Sequence, residues 1–164
     1  MEYKLEKIYD INTENDPVRP ELTEEFRTSP GREVFGLKDD NGELAAIICL
    51  AYTKMVPKTV QELDTFTHQF GDVAIPYTVW SHVKGAGKTI INRILEYARN
   101  SKNIKRVITL SPLTETAKRF HLKNGAKQLQ VNEMTQNFEY NIENKMLKEQ
   151  IEKIKEWCYR ITSK

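Results

Sequence analysis

The segment Lys84-Gly85-Ala86-Gly87-Lys88 constrains the fold of this chain more than any other. It follows a β-rich run, Val73 to Val83, and precedes a helix whose apolar positions Ile90, Ile91, Ile94, Leu95 and Ala98 recur at helical spacing. A strand, a glycine turn and a helix start, in that order, reverse the backbone tightly. They also present unpaired N–H groups at the positive end of a helix dipole, where phosphate binds readily. Two loops of this kind are excluded by the residues themselves. A nucleotide triphosphate loop needs glycine five residues before Gly87, where His82 stands, and Val107 to Leu110 runs into Ser111-Pro112 instead of ending in a magnesium-holding Asp. A dinucleotide loop needs a third glycine where Ile90 stands.

Periodicity and punctuation supply the other elements. Tyr3 to Tyr9 alternates loosely and reads as an edge strand. Pro20 suits the first turn of a short helix over Glu21 to Arg27, stopped by Ser29-Pro30-Gly31. Arg32 to Asp39, the turn Asn41-Gly42 and Leu44 to Met55 form a hairpin. Pro57 to Phe70 reads as a short helix, and Thr114 caps another that closes at Asn124-Gly125. Ala126 to Ile142 supplies one strand or two. From Asn144 to Thr162 the positions Leu147, Ile151, Ile154, Cys158 and Ile161 step by four and three on a helix otherwise dense in Lys and Glu. That stripe fits docking on the rest of the chain or a seam between two copies, so a homodimer is an expected partner state. The order is that of a mixed α/β chain of α+β type, with one domain over 1–142 and an amphipathic helix over 143–164.

Charge and cysteine content narrow the function classes. With 25 basic against 23 acidic residues, no strong field points at nucleic acid or acidic lipid. The longest uncharged apolar stretch, Leu44 to Thr53, falls well short of the roughly 20 residues of a membrane span. The opening MEYKLEKIYD has no signal-peptide core. Cys49 and Cys158 lack neighbours at CxxC spacing and read as buried free thiols, so no metal site is expected and a reducing, cytoplasmic setting is.

Coenzyme A suits the glycine loop better than either excluded ligand. Its pyrophosphate would lie on the amides of Val83, Lys84, Gly85, Ala86, Gly87, Lys88 and Thr89, with Lys84 and Lys88 adding charge. Its pantetheine arm would run along the preceding strand, at Val79, as a pseudo-strand.

From Ala74 to Ala126 the chain resembles the GNAT superfamily of acyl-CoA-dependent N-acetyltransferases. The loop reads His82-Val83-Lys84-Gly85-Ala86-Gly87, with the family's spacing and His where Gln or Arg is usual. The later segment runs Thr114, Ala117, Phe120-His121 and Gly125-Ala126, with His121 where many members carry the Tyr that protonates the leaving thiolate. Leu110-Ser111-Pro112 and the run from Phe120-His121 to Gly125-Ala126 also resemble the serine and histidine segments of the malonyl-CoA decarboxylase catalytic domain, which shares this fold. The resemblance implies a mixed, mostly antiparallel central sheet flanked by helices. It implies acetyl-CoA or malonyl-CoA as substrate, with His121 and Ser111 as catalytic residues.

The expected reaction is acetyl transfer from acetyl-CoA to an amine on a small molecule or protein, with His121 protonating the thiolate. Decarboxylation of malonyl-CoA by Ser111 and His121 is the alternative that the residue match supports. An ordinary histidine pKa of about 6.5 suits either. A non-catalytic CoA-binding or interaction module is a third reading, motivated by His82 and the heptad-like stripe. Trp80 and Thr53 are further candidates to line the ligand channel, whereas His68 and Glu62 read as solvated and Asp39-Asp40 as turn residues.

Overall fold

A computed structural model describes residues 2–143 and 145–163, with the side chains of 145–148 excepted. The described strands are β1 (Lys4–Lys7), β2 (Arg32–Lys38), β3 (Leu44–Thr53), β4 (Val73–Ser81), β5 (Arg106–Ile108), β6 (Ser111–Pro112), β7 (Lys127–Val131) and β8 (Thr135–Tyr140). They form one sheet in the order β1-β2-β3-β4-β5-β8-β6, with β7 paired to β8. Among the described residues every pairing is antiparallel except β4 with β5. The expected mixed, mostly antiparallel sheet is therefore present.

Helices cover both faces. β3 reads Leu-Ala-Ala-Ile-Ile-Cys-Leu-Ala without alternation because it is buried on both sides. On one face α3 (Ala86–Asn100) buries the expected stripe Ile90, Ile91, Ile94, Leu95 and Ala98 against Phe35, Ile48, Leu50 and Val107, joined by Phe120 of α4 (Glu115–Lys123). On the other face Leu22, Phe26 of α1 (Glu24–Thr28), and Val60 and Leu63 of α2 (Val60–Phe66) pack on Val34, Ile47, Cys49, Ile75 and Tyr77.

Several boundaries differ from those read in the sequence, each through side-chain capping or pairing. Thr23 Oγ1 accepts from Phe26 N–H, so α1 starts at Glu24 and Pro20 lies before it. Thr59 caps Glu62 in the same way and shortens the helix expected from Pro57. The strand expected over Val107 to Leu110 is β5, which ends at Ile108, with β6 a separate pairing beyond it at Ser111–Pro112, and β4 ends at Ser81. Cys49 is buried, and burial pushes its thiol up to about 12. Cys158, also expected to be buried, is exposed.

The last helix is α5 (Lys145–Thr162). Asn144, where it was expected to start, and the side chain of Leu147 lie outside the described residues. All described side chains from 149 to 163 are exposed, including Ile151, Ile154, Trp157 and Ile161 of the stripe and its margin. Truncation after Glu143 is therefore expected to leave the thermal midpoint of the remainder within about 2 °C, the shift that under about 1 kcal/mol produces in a domain of this size. A calorimetric melt checks this, and a larger drop would mean that α5 stabilises the sheet. No described helix is long and apolar enough to cross a membrane.

Candidate active site

β4 begins as an interior strand and ends as an edge. Val73 and Ala74 pair with Arg106 and Val107, and Leu110 N–H donates to Pro76 O at 3.0 Å. The chain then leaves β4, and β6 joins β8 at Gln136 and Thr135. Within β4, Cys49 faces Thr78 and Leu50 faces Pro76, so Tyr77 is the extra residue of a bulge. The bulge breaks the alternation and turns two successive side chains toward α1. The Tyr77 ring meets Phe26 edge-on at 5.8 Å, and Thr78 Oγ1 donates to the Asp16 carboxylate. Further along, His82 N–H donates to Ala45 O at 2.8 Å. Strand alternation then turns the amides of Trp80 and Thr78 toward β3, and those of Ser81 and Val79 toward the edge that β5 has left.

Between the parted segments lies a cavity of about 500 Å³. Its walls are β4 from Pro76 to Ser81, the segment Leu110–Pro112, the Ala117, Phe120 and His121 side of α4, and Pro17-Val18. Among the described residues, no Asp, Glu, Lys or Arg lines it.

The glycine loop sits at the end of this cavity. Gly85 has φ +86°, a left-handed conformation suited to glycine, and precedes α3 without a side-chain cap. A Cβ on Gly87 would lie 3.2 Å from the Phe120 ring, so glycine there lets α3 and α4 approach closely. Two of the expected donor amides are already used: Ala86 N–H donates to Val83 O at 3.1 Å and Thr89 N–H to Gly85 O at 3.3 Å. This corrects the expected row of donors, because the tight turn closes on its own carbonyls. Among the described residues, the amides of Val83, Lys84, Gly85, Gly87 and Lys88 have no protein partner, and the Lys84 and Lys88 side chains are exposed.

Ser111 and His121 come together on the cavity wall. Ser111, 3% exposed, is brought there by β6, and His121, 7% exposed, by the last turns of α4. Ser111 Oγ lies 2.8 Å from Thr109 Oγ1, which also accepts from Phe138 N–H at 3.1 Å. His121 Nδ1 lies 2.8 Å from the Tyr140 hydroxyl, and the ring stacks on Phe138 at 5.2 Å with Phe120 edge-on at 5.1 Å. Burial in this aromatic surround pulls the His121 pKa down to about 4 and pushes the Tyr140 phenol up. The ordinary histidine value expected from sequence is corrected accordingly: at neutral pH the ring is uncharged.

Of the remaining candidates, Trp80 lines the cavity and Thr53 does not. Thr53 is fully buried at the far end of β3, where its hydroxyl donates to Met55 O. Asp39 organises the hairpin turn by accepting from the amides of Asn41 and Glu43. Sequence reasoning missed Thr109 and Tyr140, the partners that orient the serine and histidine.

It also missed a buried ionic cluster behind the β4 bulge. The side chains of Asp16 and Arg27 are both fully buried, with Oδ2 and Nη1 2.7 Å apart. Asp16 Oδ1 further accepts from the amides of Val18 and Arg19. Arg27 Nη2 donates to Arg19 O and Leu22 O. The only hint in the sequence is the density of charge around Pro17 and Pro20, which is indistinguishable from a solvated loop.

No family model matches the sequence, and no curated protein matches it. Solved structures do match, and they share its fold. The malonyl-CoA decarboxylase of Rhodopseudomonas palustris aligns with TM-score 0.64 at 15% identity, over 84% of this chain and 59% of that one. The N-acetyltransferase PseH of Campylobacter jejuni aligns with TM-score 0.55 at 11% identity, over 85% of this chain and 97% of that one. The GNAT-like decarboxylase GphF, solved with isobutyryl-CoA, aligns with TM-score 0.57 at 11% identity, over 67% of this chain and 78% of that one. The expected GNAT fold is present, shared with acetyltransferases and decarboxylases alike.

Proposed function

We propose that this protein binds an acyl-CoA in the β4–β5 cleft and decarboxylates a malonyl-CoA-type thioester. The glycine-loop amides, with Lys84 and Lys88, would take the pyrophosphate, and the outward amides of Val79 and Ser81 the pantetheine arm. The carrying observation is the cavity lining. Ser111 and a neutral His121 face it, and among the described residues no carboxylate does. An amine acceptor arrives as an ammonium, and the lining offers no carboxylate among the described residues to neutralise it. Decarboxylation needs no second substrate.

The chemistry balances with these groups. The bond between the α-carbon and the carboxylate breaks, CO₂ leaves, and its electron pair forms a thioester enolate. One proton, drawn ultimately from solvent, then adds to the α-carbon to give acetyl-CoA. Negative charge gathers on the thioester oxygen, where fixed donors in a dry site stabilise it most. In this reading Thr109 Oγ1, which accepts from Phe138 N–H, donates its own hydrogen to Ser111 Oγ and leaves the serine hydrogen for the cavity. In the same reading the Tyr140 hydroxyl, 2.8 Å from Nδ1, donates to it, and the imidazole carries its hydrogen on Nε2.

Incubation with malonyl-CoA, followed by mass spectrometry of the thioester, is expected to yield acetyl-CoA and CO₂. No acetyl-CoA at high enzyme concentration would overturn the decarboxylase reading. Acetylation of amines from acetyl-CoA in that same preparation would then establish the transferase reading. Absence of CoA binding by calorimetry at millimolar ligand would remove both and leave an interaction module.

A further inference from the structure

Where β4 and the Leu110 segment part, a main-chain carbonyl of β4 and one of the β5–β6 connection face a single guanidinium. Arg19 Nε donates to Tyr77 O at 2.7 Å, and Nη2 donates to Leu110 O at 3.0 Å. These two N–H groups form one rigid edge of the guanidinium, so the distance between the carbonyls is set by a planar fork. Arg19 is 7% exposed and is itself held from both sides. Its amide donates to Asp16 Oδ1 at 3.0 Å and its carbonyl accepts from Arg27 at 2.6 Å, while Asp16 is tied to Thr78 on β4. Ser111 is the residue after Leu110, and the outward amide of Val79 lies two residues beyond Tyr77. The same fork therefore spaces a cavity hydroxyl from the strand edge opposite it.

From this we infer that Arg19 is a positioning residue that fixes the aperture of the cleft, and with it the place of the thioester relative to Ser111 and His121. Its catalytic part rests on the proposed acyl-CoA reading; its structural part does not. The phosphate end of the ligand would be gripped at the glycine loop, away from the fork, so widening the fork misaligns the reacting carbon without releasing the ligand. Misplacement by about 1 Å is enough to lower turnover by about 100-fold.

Arg19→Met removes the fork, and Arg19→Lys keeps the charge but has no planar pair of donors. For folded Arg19→Met, kcat on malonyl-CoA is expected to fall about 10- to 100-fold while KM changes by less than about threefold. Arg19→Lys should lie closer to Met than to wild type. Hydrogen exchange should quicken in the peptide covering 107–113, which holds the Leu110 amide, and stay unchanged in the β2–β3 hairpin. Methylguanidinium added to Arg19→Ala should restore part of kcat, which mere loss of stability would not allow. Wild-type kcat and exchange in folded Arg19→Lys would overturn the inference, and that variant decides the matter if Arg19→Met does not fold. Should the wild type leave malonyl-CoA untouched, the decarboxylase reading falls, and exchange alone decides whether Arg19 sets the cleft.

Discussion

Asp16→Ala is expected to destabilise the protein by about 3–5 kcal/mol, the range for removing one partner of a buried pair. The carboxylate accepts from Arg27, from Thr78 and from the amides of Val18 and Arg19. Deleting it strands the Arg27 guanidinium, which is fully shielded from water, with carbonyls, the Cys49 sulfur and the Trp80 ring as its neutral partners. An uncompensated charge of this kind is the most costly defect a core can carry. Asp16→Asn should recover little, because it restores shape without the negative charge. Chemical denaturation of the two variants, read against wild type, measures the effect. A loss below about 1 kcal/mol, ordinary for an exposed pair, would show that the cluster is solvated in solution.

His121→Phe carries the second large effect, and it has two separable parts. The new ring keeps the contacts with Phe120 and Phe138 but removes both nitrogens. Turnover of malonyl-CoA is expected to fall about 100- to 1,000-fold, as for loss of a preorganised donor at a developing oxyanion. The other part is acid stability. The folded protein holds His121 near pKa 4, whereas an unfolded chain protonates histidine near 6.5. As pH falls below 6.5 the unfolded state binds the proton first, so this term removes stability between pH 6.5 and 4 and contributes nothing above that window. At about 1.4 kcal/mol per pH unit the full loss approaches about 3 kcal/mol. His121→Phe should abolish this slope, and denaturant melts at pH 7 and pH 4.5 measure it. Tyr140→Phe in the same background removes the phenol left unpaired, so that its own penalty is not mistaken for the histidine's. An unchanged acid slope in the double variant would mean that the imidazole is not neutral by burial.

Much of the frame was legible in residue order because its signals are local. The α3 stripe, the Asn41-Gly42 hairpin and the Thr114 cap each act within a few residues, and each stands where the spacing put it. The glycine loop was legible too, apart from the Val83–Ala86 hydrogen bond, which depends on the turn geometry. What could not be read are the contacts made across long separations. Arg19 reaches Leu110, Asp16 reaches Thr78, and Asn137 of β8 donates to Pro57 O and Thr109 O. No local period announces such pairs, and loop charges look solvated until the fold encloses them. His121 was found by its motif, but its neutrality was not, since that follows from Phe120, Phe138 and Tyr140 closing around it.

The bulge at Tyr77 has a consequence for how such chains diverge. By sending two neighbouring side chains to the rear, it leaves the front of that strand described chiefly by peptide groups, which every amino acid except proline supplies in full. Substitution can then run freely along the strand while the groove it borders persists.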